Sequence, residues 1–288
     1  MHEERDRSAA FDALSDPTRV GIVEALVAAR REDPGDPTLS FSALRDRVGV
    51  DDSGRFNYHL GKLRGRFVER TDDGYELSYA GEQVAAAILA GTLDEGETLD
   101  TVRLDHGCPI CGATMTARFD QGTLTAECDE GHQVYRTGVP LAAARGRTVE
   151  ELLSFSVDLI HSRVLLNTRG ICHECYGHVE SEVQYQEAND VSFHALHWTC
   201  QQCGTKSQSS LGICLLQHPD LLTFYRDHGV DVAETYPWLL PVIQTPAEQV
   251  SAEPERYRLE IAEDDETFRA TLDGDGSVVA TERLDRSD

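Results

Sequence analysis

Lysine is almost missing from this chain. Lys62 and Lys206 are its only lysines among 26 basic residues, and the rest are arginine. Basic residues as a class are outnumbered by 51 acids, which leaves a net charge of −25 over 288 residues. The acids are spread along the whole chain and form no separate tail. That pattern predicts a salt-in halophile, because at ~1 M salt the Debye length is about 3 Å and self-repulsion is screened. Against such a background two neighbouring carboxylates carry no catalytic meaning. Long apolar runs are missing too: nothing approaches the ~18 residues of a membrane span, which excludes a membrane-spanning helix. The opening residues Met1–Arg7 are charged and no apolar stretch follows them, so we expect no secretory signal and a cytoplasmic location. No cysteine precedes Cys108, so the first third of the chain cannot hold a thiolate metal site. Phosphate-loop, dinucleotide and nucleophile-elbow motifs are all absent, and no nucleophile is paired with a base. The expectation is a protein that is not an enzyme.

What is present is a local reversal of charge. Residues 53–70 hold Arg55, Lys62, Arg64, Arg66 and Arg70 against Glu69 alone, a balance of +4 where the other 270 residues carry −29. Solvated faces elsewhere in the chain are acidic, so contact with phosphate is the better reading of this one. The flanking pattern is helical. Phe11 and Leu14 end a short amphipathic helix. Asp16 and Pro17 suit the N-cap and first position of a second, which carries Val20, Ile22, Val23, Leu26 and Val27. Ser42 can cap a third helix that ends at Gly49, and Asp51, Asp52 or Ser53 a fourth. At about 100° per residue, Phe56, Leu60, Leu63 and Phe67 form one stripe of the fourth helix. Arg55, Tyr58, His59, Lys62 and Arg66 form another face, basic and aromatic, of the kind the major groove admits. A hairpin with an Asp-Gly turn follows over residues 68–78, and then a helix over 79–93.

Helices, a basic recognition helix and a β-wing in this order make a winged helix-turn-helix. Residues 9–93 resemble the arsenical-resistance repressor (ArsR) type of transcription regulator. Leu14-Ser15-Asp16-Pro17-Thr18-Arg19 is similar to that family's second-helix start. Phe56-Asn57-Tyr58-His59-Leu60-Gly61-Lys62-Leu63 is similar to its recognition helix, with Asn57 and Tyr58 where a small polar residue and an arginine are usual. The resemblance implies double-stranded DNA as partner and a homodimer paired through the first helix and the helix at 79–93. Arg55, Asn57, Tyr58 and Lys62 would approach the groove, Asn57 on the resemblance alone. His59 lies on the same face, Arg66 would touch phosphate, and Arg70 and Thr71 in the wing would reach the backbone or minor groove. The Cys-x-Cys pair of the metal-sensing members is absent, so sensing by that route is unsupported.

All eight cysteines lie between 108 and 214. Cys108 and Cys111, with Cys128 and His132, give C-x2-C-x16-C-x3-H around two strands, Thr114–Phe119 and Thr123–Cys128. This spacing predicts a zinc ribbon, with His106 as an alternative to His132. Cys172 and Cys175, with Cys200 and Cys203, give C-x2-C-x24-C-x2-C around strands Val179–Gln186 and Val191–Trp198. Each set supplies four protein ligands and no open position, so we expect two structural Zn2+ ions per chain. The competing redox reading of Cys-x-x-Cys lacks its usual βαβ setting. Cys214 reads as a core thiol.

The fold class expected is α+β. A winged helix-turn-helix domain spans residues 1–93, an acidic linker 94–104, and a module with two zinc ribbons 105–288. Within the module a helix over 148–166 bridges the ribbons and another runs from Pro219 to Val230. Trp238–Pro241 forms an apolar hook. Three strands follow, Arg256–Ile261, Thr267–Leu272 and Ser277–Thr281, and the last residues are expected to fray. This arrangement resembles regulators of halophilic archaea. The expected function is sequence-specific DNA binding in transcription regulation, with an effector or protein partner for the C-terminal module left open. The alternatives are a zinc-ribbon adaptor that binds protein and a regulator that responds to thiol oxidation through loss of zinc.

Overall fold

The computed structural model describes residues 7–188 and 191–285. The charged opening segment, residues 1–6, and the terminal residues 286–288 lie outside them, and so do the readings made of those segments. The fold is α+β, with helices and four antiparallel sheets among the described residues. It divides into two compact units. The first comprises the residues up to Glu95 with Pro140–Ala142, and the second Gly96–Val139 with the residues from Ala143 onward. Among the described residues no helix is long and apolar enough to cross a membrane.

The first unit runs α1 (Arg7–Leu14), α2 (Pro17–Glu32), α3 (Phe41–Val48), α4 (Ser53–Leu63), β1 (Val68–Arg70), β2 (Tyr75–Leu77) and α5 (Tyr79–Leu89). Local chemistry sets the helix ends. Asp16 caps α2 by accepting the Thr18 N–H at 2.8 Å, with Pro17 at the first helical position where no N–H is needed. Asp52 caps α4 by accepting the Arg55 N–H at 2.9 Å. The cap of α3 is Ser40 and not Ser42: Ser40 has the extended backbone a cap requires and accepts the Ala43 N–H at 3.2 Å, whereas Ser42 is already inside the helix. The α5 helix stops at Leu89, short of the expected Leu93. Gly91 adopts φ 77°, and the N–H groups of Gly91 and Thr92 turn back to the carbonyls of Ile88 and Ala87, a Schellman ending. Phe56, Leu60, Leu63 and Phe67 are all buried, against Ile22, Leu26 and Leu44. Each such side chain contributes roughly 1.5–3 kcal/mol by leaving water. Leu39 joins the hairpin by exchanging backbone hydrogen bonds with Tyr75 (3.0 and 2.9 Å), so closely that a Cβ on Gly74 would lie 2.2 Å from the Leu39 oxygen.

The second unit opens with a meander of β3 (Val102–Gly107), β4 (Thr114–Asp120), β5 (Thr123–Cys128) and β6 (Gln133–Gly138). The expected linker at 94–104 is corrected here. Leu99 donates to the Phe119 carbonyl at 3.0 Å, Gln121 to that of Glu97 at 3.0 Å, and β3 starts at Val102. An acidic stretch can still pair through its backbone when its side chains face solvent. A one-turn helix α6 (Leu141–Ala144) precedes α7 (Val149–Asn167), which begins with a complete capping box between Thr148 and Glu151. Tyr135 on β6 donates to Ser156 Oγ on α7 at 2.8 Å inside the core.

The second sheet is β7 (Val179–Ala188), β8 (Val191–Cys200) and β9 (Lys206–Ser210). After a 3-10 turn at Leu211–Leu215 come α8 (Pro219–Asp227), a second 3-10 turn at Pro237–Leu239 where an apolar hook was expected, and α9 (Pro241–Gln244). The chain closes on β10 (Glu248–Ala252), β11 (Glu255–Glu263), β12 (Glu266–Asp273) and β13 (Val278–Asp285). Three strands were expected there. The fourth, β10, is an edge strand with no buried residue, so its sequence shows no alternation. Leu196, Trp198, Phe224, Tyr225, Tyr257 and Phe268 pack in one core beneath these sheets.

Candidate metal centres and a cationic helix face

The two cysteine sets converge as two groups. Cys108, Cys111, Cys128 and His132 form one and Cys172, Cys175, Cys200 and Cys203 the other, and within each the ligand atoms lie within 4.8 Å of one another. Both groups could hold a metal ion. Tetrahedral bonds of about 2.3 Å to sulfur and 2.0 Å to nitrogen would set edges of about 3.8 Å between sulfurs and about 3.5 Å from sulfur to nitrogen. The first group shows 3.8 Å between the Cys111 and Cys128 sulfurs, and 3.3 and 3.5 Å from His132 Nδ1 to those two. The second shows 3.7 Å between Cys172 and Cys203 and 3.6 Å between Cys175 and Cys200. These separations are close to the edges of a tetrahedral site in both groups. His106, the alternative ligand, is outside the first group and packs instead beside Tyr236 and Trp238.

Three of the four half-sites share one backbone turn. At Cys108, Cys172 and Cys200 the cysteine N–H donates to the carbonyl five residues on (2.8, 2.8 and 2.9 Å), and its own carbonyl accepts from the N–H four residues on (2.8, 2.9 and 3.1 Å). That fourth residue has positive φ: Gly112 at 74°, Tyr176 at 59° and Gly204 at 75°. Tyr176 thus occupies a glycine position, and it is tolerated because a Cβ at the corresponding glycines meets nothing within 4 Å. Amides inside the turns donate to sulfur: Ile110 to Cys108, Glu174 to Cys172 and Gln202 to Cys200, each at 3.4 Å. Such donors favour thiolates. The Thr205 hydroxyl and N–H bring the Cys203 thiol down to about 6. At Cys128 burial works the other way, but the N–H groups of His132 and Glu130 prevail and bring it to about 7.

Cys214 stands apart from both groups. It is half-buried and packs against the core of the second unit and not inside it. Desolvation first, and then Asp275 and Asp273, push its thiol up to about 12. Of the histidines around the second ribbon, His173 contacts Asn167 Oδ1 (3.1 Å) and His194 the Ala247 carbonyl (3.0 Å).

In the first unit Arg55, Asn57, Tyr58 and Lys62 are exposed on α4, and Lys62 Nζ lies 5.4 Å from the centre of the Tyr58 ring. The placement of His59 on that face is corrected. It is buried, with Nδ1 3.4 Å from Asp16 Oδ1, because it lies at the border of the apolar stripe where the start of α2 covers it. Arg66 lies beyond the end of α4 and is half-buried. Arg64 and Arg70 are exposed, while the Thr71 hydroxyl accepts the Gly74 N–H at 3.1 Å and shapes the hairpin turn.

Among the described residues Arg55, Lys62, Arg64 and Arg70 have no carboxylate within 4.0 Å, although acids outnumber bases two to one. Some arginines elsewhere are paired, among them Arg30 with Glu82 (2.5 Å), Arg47 with Glu32 (2.6 Å), Arg269 with Glu260 and Glu282 (2.6 and 2.9 Å) and Arg283 with Asp227 (2.6 Å). Others among the described residues, such as Arg136 and Arg163, are not, so what sets this segment apart is that four such cations lie within 16 consecutive residues. Sequence reasoning found the charge of this segment. The absence of partners is visible only in three dimensions.

Comparison with known proteins bears on both units. A family model described as "Domain of unknown function (DUF7351)" matches residues 105–278, from just before the first cysteine pair into β13. The chain belongs to this family. A second model, "Domain of unknown function (DUF7347)", matches residues 7–88, which cover the helices and hairpin of the first unit. A "Probable cyclic pyranopterin monophosphate synthase" of Pyrococcus furiosus is 35% identical over 69 residues, 24% of this chain and 44% of the relative. The chain thus spans less than half the length of that curated relative. No solved structure matches.

Proposed function

We propose that this member of the DUF7351 family is a homodimeric, sequence-specific DNA-binding transcription regulator, with an ArsR-like winged helix-turn-helix as its first unit and two structural zinc ions in its second. The observation that carries this reading is the clustering of exposed cations without carboxylate partners, Arg55, Lys62, Arg64 and Arg70, along and just after α4 and on the hairpin, in a chain so rich in acids. Counterions condensed on DNA would be released by such a face, and phosphate oxygens would supply the missing partners. The order of α2, α3, α4 and the β1–β2 hairpin supports α4 as the helix that enters the major groove and the hairpin as the wing. Arg55, Asn57, Tyr58 and Lys62 would face the groove and Arg70 the flanking backbone. His59 would hold α4 against α2, and Thr71 would shape the wing. A dimer is supported by apolar exposure: Phe11 on α1 is 77% exposed, Tyr79 on α5 77%, and Leu93 just after it 78%. The two ligand groups read as zinc sites from their donor sets and tetrahedral edges. Each has four protein ligands, so no position is left for a catalytic water, and the 69-residue likeness to a synthase does not bring that activity to this chain. The acidic composition supports a cytoplasm of high salt as its location.

The test is a binding titration in multimolar KCl against labelled DNA from the protein's own upstream region, with scrambled DNA as competitor. We expect preference for the upstream sequence. Arg55→Ala and Lys62→Ala should each weaken binding several-fold and each lower the salt slope by about 1. Unchanged affinity in both variants, with the helical signal intact, would refute the docking.

A further inference from the structure

The second unit contains a cleft that neither metal group uses. It encloses about 720 Å³ and is walled by β6, α7 and β9. That volume falls within the range of about 300–1,000 Å³ typical of small-molecule sites. Its charge is opposite to that of the chain. Arg136 of β6, Arg163 of α7 and Lys206 of β9 line it, and Lys206 is one of only two lysines in the sequence. Glu174 is the one carboxylate in the lining among the described residues, and it lies 3.5 Å from His173 Nε2. Three cations from three separate elements therefore meet one carboxylate that already has a neighbour.

The cleft is also built and not merely open. Arg163 is held in place by its Nη1, which donates to Thr137 Oγ1 (2.8 Å) and to the Gly138 carbonyl (2.9 Å) at the end of β6. Both acceptors are uncharged, so the guanidinium keeps its charge unneutralised. The buried Asn167 donates to Ser207 Oγ at 3.3 Å and so ties α7 to β9 across the cleft floor. Trp198, only 4% exposed, forms part of the wall, and its indole N–H has no acceptor among the described residues. One fixed cation, Arg163, two further cations, Arg136 and Lys206, and a buried indole N–H without an acceptor thus line one cleft, a set of groups suited to negative charge.

We propose that this cleft binds a small organic anion with two or more acidic groups, carboxylate or phosphate. Arg163 would clamp one group, and Arg136 and Lys206 would meet the others. The assignment does not depend on what the first unit binds, and its test reads ligand binding alone.

The experiment is isothermal titration of the full-length, metal-loaded chain, at the lowest KCl concentration that keeps it folded. The probes are citrate for the carboxylate class, pyrophosphate for the phosphate class and glucose as the uncharged control. Tryptophan fluorescence provides a second readout, because Trp198 is in the wall. We expect one of the anions to bind 1:1 with Kd below about 1 mM, and glucose not to bind. Which anion binds decides between the two classes. Arg163→Gln and Lys206→Gln should each weaken binding at least about tenfold, or 1.4 kcal/mol. Lys206 is exposed and takes part in no side-chain hydrogen bond or ion pair among the described residues, so its variant separates loss of binding from loss of fold. If neither anion binds with a Kd below about 1 mM, or if either variant binds like the parent, the proposal is overturned.

Discussion

The two units achieve order by different means. The first contains no cysteine and is organised by helix caps and one apolar core, with Phe56, Leu60 and Leu63 fully buried. The second holds every cysteine in the chain, and four of its sheet strands end at or beside a ligand: β3 before Cys108, β5 at Cys128, β7 after Cys175 and β8 at Cys200. A helical core can be assembled from periodic Leu, Ile and Phe alone. The second unit has a large apolar core of its own, and the two ligand groups tie together the ends of strands at its margin. The difference teaches that the two units should fail under different insults.

Metal removal should separate them most sharply. Structural zinc contributes on the order of 10 kcal/mol of apparent folding free energy in small domains. Both tryptophans, Trp198 and Trp238, are in the second unit and each is 4% exposed. Chelation under reducing conditions should therefore red-shift the fluorescence strongly while most of the helical circular dichroism of the first unit survives. An unshifted spectrum at less than 0.1 equivalent of metal would show that the ligand groups do not stabilise the second unit.

The converse experiment acts on the first unit. Phe56→Ala removes a fully buried ring and should cost about 3–5 kcal/mol there. We expect the helical transition to move to lower temperature and the tryptophan transition and the metal content to stay where they are. Equal shifts in both transitions would mean that the units unfold as one, and the comparison would fail.

A smaller effect should appear in alkali, again in the second unit. Burial raises the Cys214 thiol from 9.0 to about 12, and burial likewise raises the Tyr135 hydroxyl from 10.0 to about 12. The folded protein keeps these protons at a pH where the unfolded chain has lost them, so stability falls as pH rises from about 9 towards 12. The thermal midpoint read by tryptophan fluorescence should drop between pH 8 and 10.5, and Cys214→Ala should lessen the drop. A flat profile in the parent protein would contradict the desolvation of the Cys214 thiol and the Tyr135 hydroxyl.

Much of this was legible in the residues because the signals are local. Asp16-Pro17 and Gly49 mark helix ends by chemistry that needs only neighbouring backbone. The Cys-x-x-Cys spacings mark metal turns for the same reason, since the amides that face each sulfur lie within a few residues of it. Misreadings occurred where a distant partner decides. Ser40 and Ser42 are equivalent by type, and only the backbone at Ser40 makes it the cap. His59 lies on a helical border, and contact with the start of α2 turns it inward. Residues 96–101 show no apolar alternation, yet the edge of β4 takes up their backbone hydrogen bonds. The edge strand β10 buries nothing and so leaves no pattern to read.

The sequence by itself determined the helices of the first unit, the eight residues that gather in two groups able to hold a metal ion and the one segment of positive charge. Periodicity, spacing and composition are properties of consecutive residues, and the physics that reads them is short-ranged. Only the tertiary structure decided which cations remain unpaired. It alone also brought Arg136, Arg163 and Lys206 to one cleft from strands and a helix up to 70 positions apart. Electrostatic pairing depends on distances across the fold, and those exist only once the apolar cores have set the elements in place.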